Sequence, residues 1–138
     1  MPYDIVWEPD GVRVDFSGEA RSRELIESTE RMESDPRFDE MRYVINDLSS
    51  VSGNDFSEES LTQLAVINFG AHASHPNCRM AYVTTNPELT ELIKKTLMAE
   101  DMKSYTVEVL PSVEAARDWL DSQPELHLLS DVMGFRNF

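Results

Sequence analysis

The chain has 138 residues, enough for one domain with a real core, and 41% hydrophobic and 28% charged residues are the proportions of a globular protein. A net charge of −14 would repel a phosphate backbone or an anionic membrane surface, which argues against nucleic acid and acidic lipid as partners and leaves basic proteins open. The single cysteine, Cys78, excludes an internal disulfide and fits a cytoplasmic setting; the start MPYDIVWEPDG lacks a signal-peptide pattern, and no apolar run approaches the ~18 residues of a membrane span.

Residues 3–8 alternate, with Tyr3, Ile5 and Trp7 set against Asp4, Val6 and Glu8. Pro9-Asp10-Gly11 is a turn signal, and Val12, Val14 and Phe16 alternate again with Arg13 and Asp15. So short a connection permits only a hairpin. Ser17-Gly18 is expected to close its second strand. Residues 20–34 form the first predicted helix, with Leu25, Ile26, Thr29 and Met32 in one narrow stripe, and Asp35-Pro36 ends it.

Residues 42–60, RYVINDLSSVSGNDFSEES, are the centre of the chain. Tyr43-Val44-Ile45 begins a strand that is expected to end at Asn46-Asp47. A Ser/Gly/Asn loop and an acidic helix start should follow. In open α/β sheets, ligands and partners meet the protein outside the carboxyl ends of the strands, so Asp47, Ser49, Asp55 and Ser57 form the expected contact loop. Asp47 is expected to accept N–H bonds from its own loop rather than to act as a base, because no His, Lys or second carboxylate is fixed beside it. Asp55, with Glu58 three residues on, or Ser57 is the expected cap of the second helix.

That helix, residues 61–74, is apolar on two sides. Leu61, Leu64, Ala65 and Asn68 make one stripe; Val66, Phe69 and Ala73 make another, and Ile67 lies between them. Such a helix must be covered twice, by its own domain and by a neighbour or second subunit. Next come a strand over residues 79–85, a third helix opened by Asn86-Pro87-Glu88 with Leu89, Leu92, Ile93, Thr96 and Leu97 inward, and a strand over residues 105–110. Pro111-Ser112 opens the fourth helix, with Val113, Ala116, Trp119 and Leu120 inward, and Pro124 ends the regular part. The tail, residues 123–138, carries Leu126, Leu128, Leu129, Val132, Met133, Phe135 and Phe138. It is too apolar for a solvated tail and should dock on the domain (residues 1–122) or on a second copy.

The order β-β-α-β-α-β-α-β-α predicts an α/β fold with a mixed five-stranded sheet: parallel crossovers and one antiparallel edge strand. This order is similar to that of STAS domains, and more so to their SpoIIAA-like relatives, whose fold also resembles the CRAL-TRIO fold. Four local features carry the resemblance across residues 3–120. Phe16-Ser17-Gly18 leads to a charged helix, and Asp35-Pro36-Arg37-Phe38 precedes a strand that reads Asn46-Asp47-Leu48-Ser49. Met80-Ala81-Tyr82-Val83-Thr84 precedes another helix; Val107-Glu108-Val109-Leu110 and Val113-Glu114-Ala115-Ala116-Arg117-Asp118-Trp119-Leu120 close the domain. The resemblance implies a small bacterial cytoplasmic domain that binds a protein or an apolar ligand and is usually not an enzyme. Antagonists of the STAS type are switched by a phosphorylated serine after the Asp-Leu-Ser strand end. Here Asp55-Phe56-Ser57 stands where that motif has Asp-Ser-Ser-Gly, and Asp55, Glu58 and Glu59 would repel a phosphate on Ser57.

Other chemistry finds little purchase. His72, His75 and Cys78 have the spacing H-x-x-H-x-x-C, but Pro76 intervenes and a structural zinc wants four ligands. No phosphate-cradling glycine loop and no G-x-S-x-G elbow occurs. No cofactor or metal is expected. The expected activity is therefore contact with a protein partner or a second copy, with Val66, Phe69, Ala73, Leu129, Phe135 and Phe138 as its interface. The alternative is carriage of a small apolar ligand in a pocket lined by Leu61, Leu64, Leu92 and Ile93.

Overall fold

The computed structural model describes residues 3–74, 78–99 and 106–122, and of Ala73 and Ser74 the backbone only. The expectations for His75, the Ala73 side chain, Leu129, Phe135, Phe138 and the docking of residues 123–138 lie outside the described residues. The elements in order are β1 (Tyr3–Trp7), β2 (Gly11–Ala20), α1 (Ser22–Glu33), a 3-10 turn (Pro36–Glu40), β3 (Tyr43–Asn54), α2 (Glu58–Ser74), β4 (Arg79–Val83), α3 (Pro87–Thr96), β5 (Thr106–Leu110) and α4 (Val113–Asp121).

The strands lie side by side in chain order, with β1 antiparallel to β2 and every later pair parallel. This is the mixed five-stranded sheet that the alternation of strands and helices predicts. The tight turn is closed by the Glu8 N–H donating to the Gly11 carbonyl at 2.8 Å. Gly11 has a second reason to lack a side chain: a Cβ there would collide with the Tyr43 ring on the adjacent strand.

Strand alternation sorts the core into two layers. Val12, Val14 and Phe16 of β2, Val44 and Leu48 of β3, and Met80 and Tyr82 of β4 point to one face. They meet Leu25 and Met32 of α1, Leu61, Leu64 and Ala65 of α2, and Leu89 and Ile93 of α3. Three crossovers that each advance one strand in the same direction and share a hand place their helices on the same face. The opposite face holds Ile45, Ala81 and Val83 against Ala116 and Leu120 of α4. β4 is buried at all five positions because both layers cover it.

α4 covers the sheet from β3 to β5 and reaches the far edge with one side chain. Arg117 donates to both Glu8 carboxylate oxygens, at 3.0 and 2.7 Å, and Tyr43 Oη donates to the same group at 2.5 Å. These bonds, Arg117 first, hold the Glu8 carboxyl below its ordinary range. Arg13 adds a longer contact at 3.4 Å and pairs with Asp15 on its own strand at 2.8 Å.

One boundary differs from the sequence reading in a way that matters. β3 does not end at Asp47; it runs to Asn54, and β2 continues through Gly18 to Ala20. β4 stops at Val83 opposite Asp47, but β2 and β3 go on pairing with each other from Ser17↔Ser50 to Ala20↔Asn54. The expected loop is therefore largely a two-stranded ribbon projecting beyond the sheet. Its Ser/Gly/Asn composition hides this, because most of its side chains are exposed and need not be apolar. Two register shifts give it a bulged course, and Gly18 takes a φ of 66° at one of them.

Candidate interaction surface

The ribbon and the start of α2 contain Asp47, Ser49, Asp55 and Ser57, and each has a local task. The Asp47 carboxylate accepts from the Ser49 amide at 3.0 Å and the Ser49 hydroxyl at 2.6 Å. It thereby satisfies backbone at the first register shift, where β2 no longer matches β3 residue for residue. Asp55 does not cap α2, as its spacing from Glu58 suggested. It reaches to α1, where its carboxylate accepts from the Ser22 amide at 2.6 Å, and this bond lowers its pKa. Ser22 is the first residue of α1, so Asp55 fills one of the donor positions that every helix start leaves open.

Ser57 caps α2. Its hydroxyl accepts from the Ser60 amide at 3.1 Å, while the Ser60 hydroxyl accepts from the Ser57 amide at 2.9 Å. This is the reciprocal arrangement of a capping box, with serine in the place of the usual Glu or Gln. Ser22 and Ser60 also meet, hydroxyl to hydroxyl, at 2.9 Å, which ties the two helix starts together. A phosphate on Ser57 would have to displace this cap beside Asp55, Glu58 and Glu59.

α2 itself has two characters. Leu61, Leu64, Ala65 and Asn68 are buried in one row, as their spacing predicts. Val66 and Phe69, one turn apart on the outward side, are 54% and 51% exposed and are the large apolar side chains left open among the described residues. Beside them lies a shallow groove of about 500 Å³ lined by Glu58, Glu59, Thr62, Gln63 and Val66. The spot is thus apolar and lies beside two acids, Glu58 and Glu59.

Of the residues assigned to an apolar pocket, Leu61, Leu64 and Ile93 are each 1% exposed or less and belong to the continuous core. Leu92 is partly buried and packs against the same core. Helices α2 and α3, whose facing sides supply these residues, are also joined outside by a Lys95–Glu58 ion pair at 3.1 Å.

The inward row of α2 includes one polar group, whose partner residue spacing did not reveal. Asn68 is 1% exposed and is hydrogen-bonded to the fully interior Tyr82 hydroxyl. Burial raises the Tyr82 pKa. Glu33, at the end of α1, has one carboxylate oxygen buried without a hydrogen bond among the described residues, and burial followed by repulsion from Glu30 pushes its pKa up to about 8. Its charge also acts on Cys78, whose thiol is raised chiefly by burial. A thiol held protonated in this way is unsuited to attack or to binding metal. Among the described residues, no three His, Cys, Asp or Glu side chains come together in a metal-holding group. The only sequence signal for the Glu33 site was an acid at the end of a helix, a position where the dipole disfavours it.

No family model and no curated protein matches the chain. Solved structures do. One is the anti-sigma factor antagonist SpoIIAA in its unphosphorylated form, with 11% identity and a TM-score of 0.56, over 88% of this chain and 99% of that one. Another is an uncharacterized protein from the DUF3478 family with a SpoIIAA-like fold, from Shewanella loihica PV-4, with 13% identity and a TM-score of 0.52, over 86% and 91%. At such identities the likeness is one of architecture, and it agrees with the sheet order and helix layers described above: the chain has the SpoIIAA-like, STAS-like fold.

Proposed function

We propose that this chain is a non-enzymatic binding or regulatory domain of the STAS/SpoIIAA-like kind, working in the cytoplasm by protein–protein contact. The observation that supports this best is the pair Val66 and Phe69, half-exposed on a helix whose other side is fully packed. Ala73 continues the same row in the sequence, and Phe135 and Phe138 are the tail residues assigned to the same contact. The acidic rim at Glu58 and Glu59, on a chain of net charge −14, favours a partner that sets basic groups around an apolar anchor. It favours such a partner over a second acidic copy. Asp47, Ser49, Asp55 and Ser57 contribute by holding the ribbon and both helix starts in place beside this surface. The filled core at Leu61, Leu64 and Ile93 favours contact over carriage of an apolar ligand.

A photo-crosslinking side chain at position 69, compared with one at Glu91 on the outward side of α3, tests the reading in the native cell. The expected result is a discrete crosslinked species from position 69 that disappears with Val66→Asp and is absent from position 91. Equal labelling at both positions, or none at either, would overturn it. Native mass spectrometry of the full chain separates the variants of the idea. A dimer peak that grows with concentration identifies a second copy as the partner, while a retained apolar ligand would favour carriage instead.

A further inference from the structure

β1 lies at the edge of the sheet. Among the described residues it pairs with β2 alone, so its outer row of backbone N–H and C=O groups faces no strand. Beside that edge opens a groove of about 400 Å³, with Ile5 and Trp7 on the strand side and Arg31, Asp35 and Arg37 on the helix side. Its walls are held firmly. Arg37 is paired with Asp35 at 2.8 and 3.0 Å and lies over the Trp7 ring at 4.3 Å. Arg31 donates to the Tyr3 hydroxyl at 3.1 Å. The edge thus offers main-chain hydrogen bonding next to a preformed, partly apolar trough, which is what an added strand requires.

We propose that residues 125–129 of the same chain, Glu-Leu-His-Leu-Leu, add to β1 as an antiparallel sixth strand and turn Leu126 and Leu128 into this groove. Three observations select this occupant. The first is where the chain leaves α4. Arg117 grips Glu8, the residue just after β1, and α4 ends at Asp121, one turn further on. The chain therefore leaves α4 at the end of the sheet that holds Trp7 and Glu8, and the sequence sets a proline, which disfavours further helix, at position 124. The second is length. At ~3.3 Å per extended residue, a segment of about five residues matches β1 after a short connection, and residues 123–138 supply more than enough. The third is pattern. Leu126 and Leu128 alternate with Glu125 and His127, as Ile5 and Trp7 alternate with Asp4 and Val6. An antiparallel course from the Trp7 end sets the two leucines beside Trp7 and Ile5 and keeps the polar pair on the other face. The added strand also shields an edge that would otherwise invite pairing between molecules. It is independent of the contact proposed for α2.

Amide hydrogen exchange and proton–proton contacts measured by NMR on the full-length chain test this. The expected result is exchange at residues 126–129 and at the outer β1 amides slower by about tenfold or more than in an unstructured peptide. Contacts from the Leu126 and Leu128 methyls to Trp7 and Ile5 should accompany it. Leu128→Pro, which cannot sit within a paired strand, should remove most of that protection at both places and leave β3 and β4 unchanged. Three results would overturn the proposal. One is unprotected exchange at residues 126–129 in the unaltered chain. A second is β1 protection that survives Leu128→Pro. The third is contacts seen only between differently labelled copies in a mixed sample, which would make the edge an interface between molecules.

Discussion

Helices α2 and α3 lie side by side on one face of the sheet, and each returns the chain from one parallel strand to the next. They nevertheless solve the outward side differently. α3 buries Leu89, Ile93 and Thr96 and exposes Glu88, Glu91, Lys94 and Lys95. Its buried hydroxyl is satisfied at home, since Thr96 donates to the Leu92 carbonyl at 2.7 Å. α2 buries an equal row but exposes Val66 and Phe69, and its buried Asn68 carbonyl oxygen has no hydrogen bond among the described residues. α3 therefore shows how little a crossover helix needs in this fold: one apolar stripe and a charged back. The second apolar side of α2 goes beyond that pattern, and it is the side on which the proposed contact rests.

Six substitutions test that contrast, all read as urea unfolding of the full chain. The largest effect belongs to the inward rows, where the two helices should behave alike. Leu64→Ala in α2 and Ile93→Ala in α3 should each cost about 2–5 kcal/mol, because each leaves a cavity in a closed core. A much smaller loss at Leu64 would mean that α2 is less firmly seated than α3.

The next effect comes from Glu33, the last residue of α1. A carboxyl whose folded-state pKa is raised binds protons more tightly in the folded state than in the unfolded one. The stability it contributes is thus fully present below pH about 4.5 and lost as pH rises towards about 8. The urea midpoint should fall between pH 5 and pH 8, and Glu33→Gln should flatten that slope. An unchanged slope would exclude Glu33 as its source. Asp35 does not confuse the measurement, because Arg37 holds it down near pH 2, far below this window.

Caps come third, and again the helices should agree. Ser57→Ala removes the acceptor for the Ser60 amide, and Asn86→Ala removes the acceptor for Glu88 and Leu89. Each should cost about 1 kcal/mol. The smallest effect on folding should come from the outward pair. Phe69→Ser should change stability by no more than ~0.5 kcal/mol, because a half-exposed ring leaves no closed cavity behind. It should nonetheless remove crosslinking or association. A large loss of stability would mean that Phe69 serves the fold after all.

Much of the fold was legible because it depends on short-range patterns. Alternation announced β1 and β2, Asp35-Pro36 and Asn86-Pro87 punctuated the helices, and the inward rows of α2 and α3 followed from helical spacing. The ribbon was not legible. Residues 49–54 are polar apart from Val51, and what makes them a strand is their pairing with Ser17 through Ala20, which lies far away in sequence. Of the two expected caps of α2, Asp55 serves elsewhere for a related reason. Its spacing from Glu58 pointed to its own helix, while its partner, Ser22, is brought close only by that ribbon.

The sequence by itself determined the order of elements, the sheet type, the inward faces and the doubled apolar character of α2, because all of these are properties of neighbours along the chain. Tertiary structure alone decided which apolar stripe of α2 the described residues leave exposed, which helix Asp55 caps, and that Glu33 lies against the interior. It also created the groove beside β1, whose walls come from residues about thirty positions apart. Burial and long-range pairing depend on what the rest of the chain leaves exposed, and no local pattern carries that information.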